Sequence, residues 1–280
     1  MVKSRGAEGA TLGNLGSVYS HLGEMRKAIE LYEQSLKISR EIHDRKGEGA
    51  DLGNLGIAYS RLGETHKAIE FYEESLSIDR EIGDRRGEGT ILGNLGQVYS
   101  DLGKTRKAIE FYEEALMISR KFGDIRSEGG RLGNLGNAHS HLGEMSKAVE
   151  FYEQALMISR QIGDRRGEGT HLGNLGNAYS HLGEMRKAIE FHEEALKVSR
   201  EIGYRMGEAA DLDNLGQAYS HLGEMRKAIE FYEEALKVSR EIGYRIVEAA
   251  SLDSLGVAYS DLGETRKAIE LYEQALVISR

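Results

Sequence analysis

Six asparagines recur at intervals of 40 residues: Asn14, Asn54, Asn94, Asn134, Asn174 and Asn214. A side-chain amide carries both a donor and an acceptor. One such group can therefore pair with both polar groups of a peptide unit in an extended chain. Five of the six follow a glycine (Gly13, Gly53, Gly93, Gly133, Gly173), which would leave room for a ligand backbone. Inside a helix each glycine costs roughly 1 kcal/mol against alanine, so a benefit is expected in return. The asparagines could instead bond to one another across repeats while the glycines only let helices approach. Duplication of a unit could also have copied neutral residues.

Two further columns share the asparagine stripe. One reads Ser17, Ile57, Gln97, Asn137, Asn177, Gln217 and Val257. The other reads His21, Arg61, Asp101, His141, His181, His221 and Asp261. In the last two units the groove glycine becomes Asp213 and Asp253, with Arg61 near the other end. A ligand is therefore expected to place Lys or Arg over the last two units. The histidine column is not read as a metal site. Neighbouring helices lie roughly 8–10 Å apart, zinc needs ligand nitrogens at ~2 Å, and no carboxylate or thiol triad accompanies the histidines. His139 lies beside His141 but on a different face.

No Ser/His/Asp set and no paired carboxylates stand out from the repeat. An enzyme would need a site unlike the others, so no catalytic residue and no cofactor are expected. The Gly-x-Gly pieces follow no strand and are not phosphate loops. The chain has 46 acidic and 37 basic residues, net −9, which argues against a nucleic-acid surface. It has no cysteine, which excludes disulfides, thiolate catalysis and thiolate-bound zinc. No apolar run approaches the ~20 residues of a membrane span. Met1-Val2-Lys3-Ser4-Arg5-Gly6 leads into no apolar stretch, so no secretory signal is read there and a cytoplasmic protein is expected.

These columns must be positioned by the repeat itself. Seven rows of 40 align without a gap over the 280 residues: 1–40, 41–80, 81–120, 121–160, 161–200, 201–240 and 241–280. In each row Leu12, Leu15, Gly16 and Tyr19, or their equivalents, fall at i, i+3, i+4 and i+7, one face of a helix. Two residues along a helix is about 200° of rotation, so the asparagine stripe lies opposite this core stripe. Gly23 suits a left-handed cap. A second helix begins near Glu24 and carries Ala28, Ile29, Tyr32, Ser35, Leu36 and Ile42. Glycine usually ends it, though the first unit has His43. Asp44, Asp84, Asp124 and Asp164 then stand at an N-cap that Tyr204 and Tyr244 lack. Arg40 and Glu48, each suited to its helix end, are expected to bridge.

Leu12-x2-Leu15-Gly16-x2-Tyr19 followed by Ala28-x3-Tyr32 resembles the tetratricopeptide repeat, in all seven units. Leu stands for the family's Trp, the closing Pro is missing, and the period is 40 rather than ~34. The longer unit is similar to the Leu-Gly-Asn repeats of cell-polarity adaptors and to kinesin light chain. The resemblance implies an all-α, right-handed superhelical solenoid of helix-turn-helix units whose first helices line a concave groove holding extended peptides. The expected function is a non-catalytic scaffold or adaptor for a protein or peptide partner. The alternatives are a sensor or regulatory arm of a larger signalling or protease protein, and a designed or consensus repeat. Terminal repeats have no neighbour over one face. Leu12 and Tyr19 at one end and Leu271 and Leu276 at the other therefore predict head-to-tail self-association.

Overall fold

Each 40-residue row folds into a pair of helices joined by a tight turn. The structure, a computed structural model, describes residues 2–278 and the side chains of residues 4–278. Met1 and Arg280, the last member of the arginine column, lie outside the described residues. Described residues form fourteen helices. They are α1 (Val2–His21), α2 (Met25–Glu41), α3 (Arg45–Arg61), α4 (Thr65–Ile82), α5 (Arg85–Asp101), α6 (Thr105–Phe122) and α7 (Ile125–His141). They continue with α8 (Met145–Ile162), α9 (Arg165–His181), α10 (Met185–Glu201), α11 (Arg205–His221), α12 (Met225–Ile242), α13 (Arg245–Asp261) and α14 (Thr265–Ile278). They fall into two compact units, the first ending at Ala138 and the second beginning at His139.

In the first unit Leu52, Leu55, Leu92 and Leu95 of the core stripe are 0% exposed. Leu52 and Leu55 pack with Ala28, Ile29, Tyr32 and Leu36 of the preceding second helix. The glycine of the Leu-Gly pair makes this approach possible. A Cβ on Gly96 would lie 2.5 Å from the Tyr112 ring, so no larger residue fits without displacing it. Tyr59 stacks on Phe71, ring centroids 5.3 Å apart. Leu15 is the exception: it stays 44% exposed, because α1 has a neighbouring first helix on one side only among the described residues.

The second unit repeats the pattern with two substitutions. His139 replaces the stacking tyrosine, lies on Phe151 and places Nδ1 2.8 Å from Glu144. His192 replaces the buried tyrosine and faces Gly176. Burial pulls the His192 imidazole down to about 4.

The caps follow the turn chemistry. Asp44, Asp84 and Asp164 accept bonds from the backbone N–H of Gly47, Gly87 and Gly167 at 3.0, 2.9 and 3.0 Å. Tyr204 and Tyr244 make no side-chain cap bond. Among the described residues His43 is the one non-glycine with positive φ, at 57°. Its counterpart Gly83 has φ 74°.

Arg40 Nε donates to Glu48 at 2.9 Å, and Arg45 donates to the same carboxylate at 2.6 Å. Arg40 also reaches Glu74 of the next second helix at 3.2 Å. Arg80, Glu88, Arg85 and Glu114 repeat the set. Burial works to raise the Glu48 and Glu88 carboxyls, but the arginine bonds outweigh it and hold both below the usual range. Exposed pairs contribute little individually. These tie each second helix to its successors at a buried glutamate.

Candidate functional site

The stripe opposite the core is carried by α1, α3 and α5 in the first unit and by α9, α11 and α13 in the second. Asn14 is exposed, while Asn54, Asn94, Asn134, Asn174 and Asn214 are half-buried. Asn137, Asn177, Gln97, Gln217, His141, His181, His221 and Asp253 are exposed. Gln97 is engaged within the chain: it donates to Asp101 at 2.8 Å and accepts from Tyr112 at 3.3 Å. Asn54 and Asn94 take no part in those bonds.

The glycine column does something other than leave space for a ligand. It receives a side chain from the next first helix. A Cβ on Gly53 would lie 3.0 Å from Ile91 Cδ1. One on Gly93 would lie 2.0 Å from the Arg131 guanidinium carbon. On Gly13 and Gly173 it would meet Asp51 and Asp211 at 3.4 and 3.5 Å. The approach of neighbouring first helices accounts for Gly53 and Gly93, whereas at Gly13 and Gly173 a Cβ would make ordinary contacts.

Asp213 requires a correction on the same grounds. It was expected to offer a carboxylate to a basic ligand, yet it is 6% exposed. Ser251 Oγ donates to it at 2.7 Å and Gln217 Nε2 at 2.8 Å. The helix that follows supplies a hydroxyl where it elsewhere supplies a bulkier group, so the carboxylate turns toward it. Burial pushes its carboxyl up, against those two bonds. Asp253 alone of the pair faces outward.

Between successive first helices the stripe opens into clefts. One of about 210 Å³ is flanked by Asn14 and Asn54, with Asp51 in its wall. One of about 240 Å³ is flanked by Asn54 and Asn94, with Asp79 in its wall. In the second unit one of about 170 Å³ is flanked by Asn174 and Asn214, with Asp211 in its wall. Beside the cap residues Asp44 and Asp84, three buried acids thus line the clefts, and sequence reasoning missed these three. Asp51 and Asp211 each accept a 2.9 Å bond from the serine twelve residues earlier, Ser39 and Ser199. Burial pushes Asp211 up to about 7 despite that bond. It pushes Asp79 up to about 6, with Asp84 and Glu88 adding repulsion. The signal was present in the columns: Asp79 stands where Ser39, Ser119, Ser159, Ser199 and Ser239 stand.

The arrangement offers amides, small residues and buried carboxylates, which is recognition chemistry. Among the described residues no group of three or more His, Asp or Glu is placed to hold a metal ion. No helix among them is long and apolar enough to cross a membrane.

The Tetratricopeptide repeat family model matches residues 8–81, 52–121, 132–201 and 208–280. The chain belongs to this family, whose repeats generally serve as protein-interaction modules. No curated protein sequence matches it. Among solved structures it is similar to BtubC from P. vanneervenii, at 24% identity and TM-score 0.69, over 78% of this chain and 92% of that one. It is similar to a STAND signal-transduction ATPase with a tetratricopeptide repeat sensor from Pyrococcus horikoshii, at 20% identity and TM-score 0.84. That match covers 95% of this chain and 41% of the other. It is also similar to the nearly identical repeats of a Podosopora anserina putative kinesin light chain, at 21% identity and TM-score 0.60, over 70% and 96%. At these identities the likeness bears on the fold alone.

Proposed function

We propose that the chain is a non-catalytic scaffold that binds an extended peptide segment of a partner protein along the asparagine stripe. The observation that carries this reading is the recurrence of clefts flanked by paired asparagines, Asn54 and Asn94 above all. An amide beside each cleft can hold ligand backbone while the cleft takes a side chain. With ~10 Å per stacked repeat and ~3.3 Å per extended residue, each repeat spans about three ligand residues. Nucleic acid and membrane are not partners in this reading.

The test is selection of extended dodecapeptides from a random library against the full chain, followed by Asn54→Ala with Asn94→Ala. Two lost contacts at about 1 kcal/mol each should weaken the selected peptides tenfold or more, with melting unchanged. Unaltered affinity, or binders that map to the second helices, would overturn the reading. A second reading, a sensor arm for a further domain, is supported by the likeness over 95% of the chain to a protein with a tetratricopeptide repeat sensor.

A further inference from the structure

At two junctions a buried aspartate has a serine partner built into the fold. Ser39 donates to Asp51 across the junction of the first and second repeats, and Ser199 does the same to Asp211. The junction of the second and third repeats has an acid without that serine. The serine position holds Asp79, and the partner position twelve residues on holds Ile91. Isoleucine has no donor, so the Asp79 carboxylate, 6% exposed, has no hydrogen-bond or ion-pair partner among the described residues. Ser75, one turn earlier, is already committed to the Gly49 carbonyl at 2.9 Å. The two nearest acids, Asp84 and Glu88, only repel it. Lys46 stands exposed at the rim and forms no ion pair with it.

This carboxylate lines the cleft of about 240 Å³, far above the ~15 Å³ that admits one water. Two glycines make the space around its oxygens. A Cβ on Gly87 would lie 2.7 Å from Oδ2, and one on Gly49 would lie 3.3 Å from Oδ1. A buried carboxylate without a cation is a costly arrangement, and a charged partner relieves it. The next junction shows which partner has the right shape. There Arg131 of α7 lays its guanidinium over Gly93, with Nη2 3.5 Å from the Gly89 carbonyl oxygen. Gly53 and Gly49 are the equivalents of those glycines, and Gly49 touches Asp79. At the junction before it the shorter Ile91 takes the place over Gly53, and the cleft beside Gly49 and Asp79 has room for a guanidinium from elsewhere.

We propose that the cleft between α3 and α5 is a subsite for the guanidinium of an arginine side chain on the bound peptide, with Asp79 as its counter-ion. This rests on the peptide-binding reading and adds a position-specific requirement to it. Asn54 and Asn94 stand on either side of the cleft, where they would hold the backbone flanking that arginine. The planar fork of arginine suits a carboxylate better than the point charge of lysine.

The probe is N-acetyl-arginine-N-methylamide titrated into the full chain, with its uncharged citrulline counterpart as the control. The readout is the backbone amide resonances of Gly49, Gly53 and Gly87. The arginine probe should shift all three saturably, and the citrulline probe should not. Asp79→Ser, which restores the residue of the other repeats, should fold and weaken the arginine probe at least tenfold. Equal binding to Asp79→Ser, equal binding of citrulline, or no shift at tens of millimolar would each overturn the proposal. Free arginine brings a second carboxylate toward Asp79 and Asp84 and should bind more weakly than the capped probe. Tighter binding of the free amino acid would overturn a peptide source. The two readings fail separately. Library peptides sensitive to Asn54 and Asn94 but indifferent to Asp79 would leave the scaffold and remove the subsite. An Asp79-dependent probe without any peptide that senses the asparagines would do the reverse.

Discussion

Ser251 Oγ donates a 2.7 Å hydrogen bond to Asp213 Oδ1, joining two first helices through residues 38 positions apart. The same pair of columns joins Gly53 to Ile91 and Gly93 to Arg131. Each junction is a matched pair, with a small residue opposite a large one or an acid opposite a hydroxyl. Ser251→Ile should therefore clash and strand a carboxylate, lowering stability by about 2 kcal/mol or more. Adding Asp213→Gly reproduces Gly53 beneath Ile91 and should recover at least half. Urea denaturation of the full cycle measures this coupling, and purely additive effects would show that the columns are independent.

Gly96 and Gly130 should respond in opposite senses to the same substitution. Gly96→Ala drives a methyl into the Tyr112 ring at 2.5 Å and should destabilise by about 1–3 kcal/mol. Gly130→Ala meets nothing within 4 Å and should stabilise by about 1 kcal/mol through helix propensity. Thermal melting of the two variants decides it.

His43 holds φ 57° where the later repeats use glycine. A side chain in that region costs on the order of 1 kcal/mol. His43→Gly should raise stability by about that amount, read as an upward shift in melting temperature. No shift would mean that the His43 side chain makes a compensating contact.

The buried acids and His192 should pull stability in opposite directions between pH 4 and pH 7. Asp211 is raised from 3.8 to about 7, so its contribution is full below pH 3.8 and lost as pH rises through about 7. Asp79 behaves likewise, with loss through about 6. His192 is lowered from 6.5 to about 4, so its contribution is full above pH 6.5 and lost as pH falls through about 4. Asp211→Asn should be more stable than the parent at pH 8. His192→Tyr, which copies Tyr232 over Gly216, should resist acid better. Urea midpoints at pH 4.5 and pH 8 test both, and parallel pH profiles in parent and variants would exclude these groups as the source.

Asp79→Ser removes an unpaired buried carboxylate and should gain on the order of 1–3 kcal/mol at pH 8. The gain should shrink toward pH 4, where Asp79 is protonated. A loss of stability in Asp79→Ser at pH 8 would show that the carboxylate has a partner.

What could be read from the residues alone was everything that repeats within one helix or one turn. The spacing of Leu52, Leu55 and Tyr59 set the buried face, and Gly83 and Asp84 set the boundary between α4 and α5, because helix periodicity and cap chemistry are local. The 40-residue period carried the family. The site was legible only in part. Asn54 and Asn94 are half-buried beside clefts, Asp213 turned inward, and Gly53 and Gly93 proved to be seats for a neighbour. Those outcomes depend on the register between one first helix and the next. No periodicity within a helix encodes that register, and packing in three dimensions sets it. Asp79 shows the point most directly. The sequence shows an aspartate in a serine column, and only the placement of Ile91 against Gly53 reveals that no side chain among the described residues answers its charge.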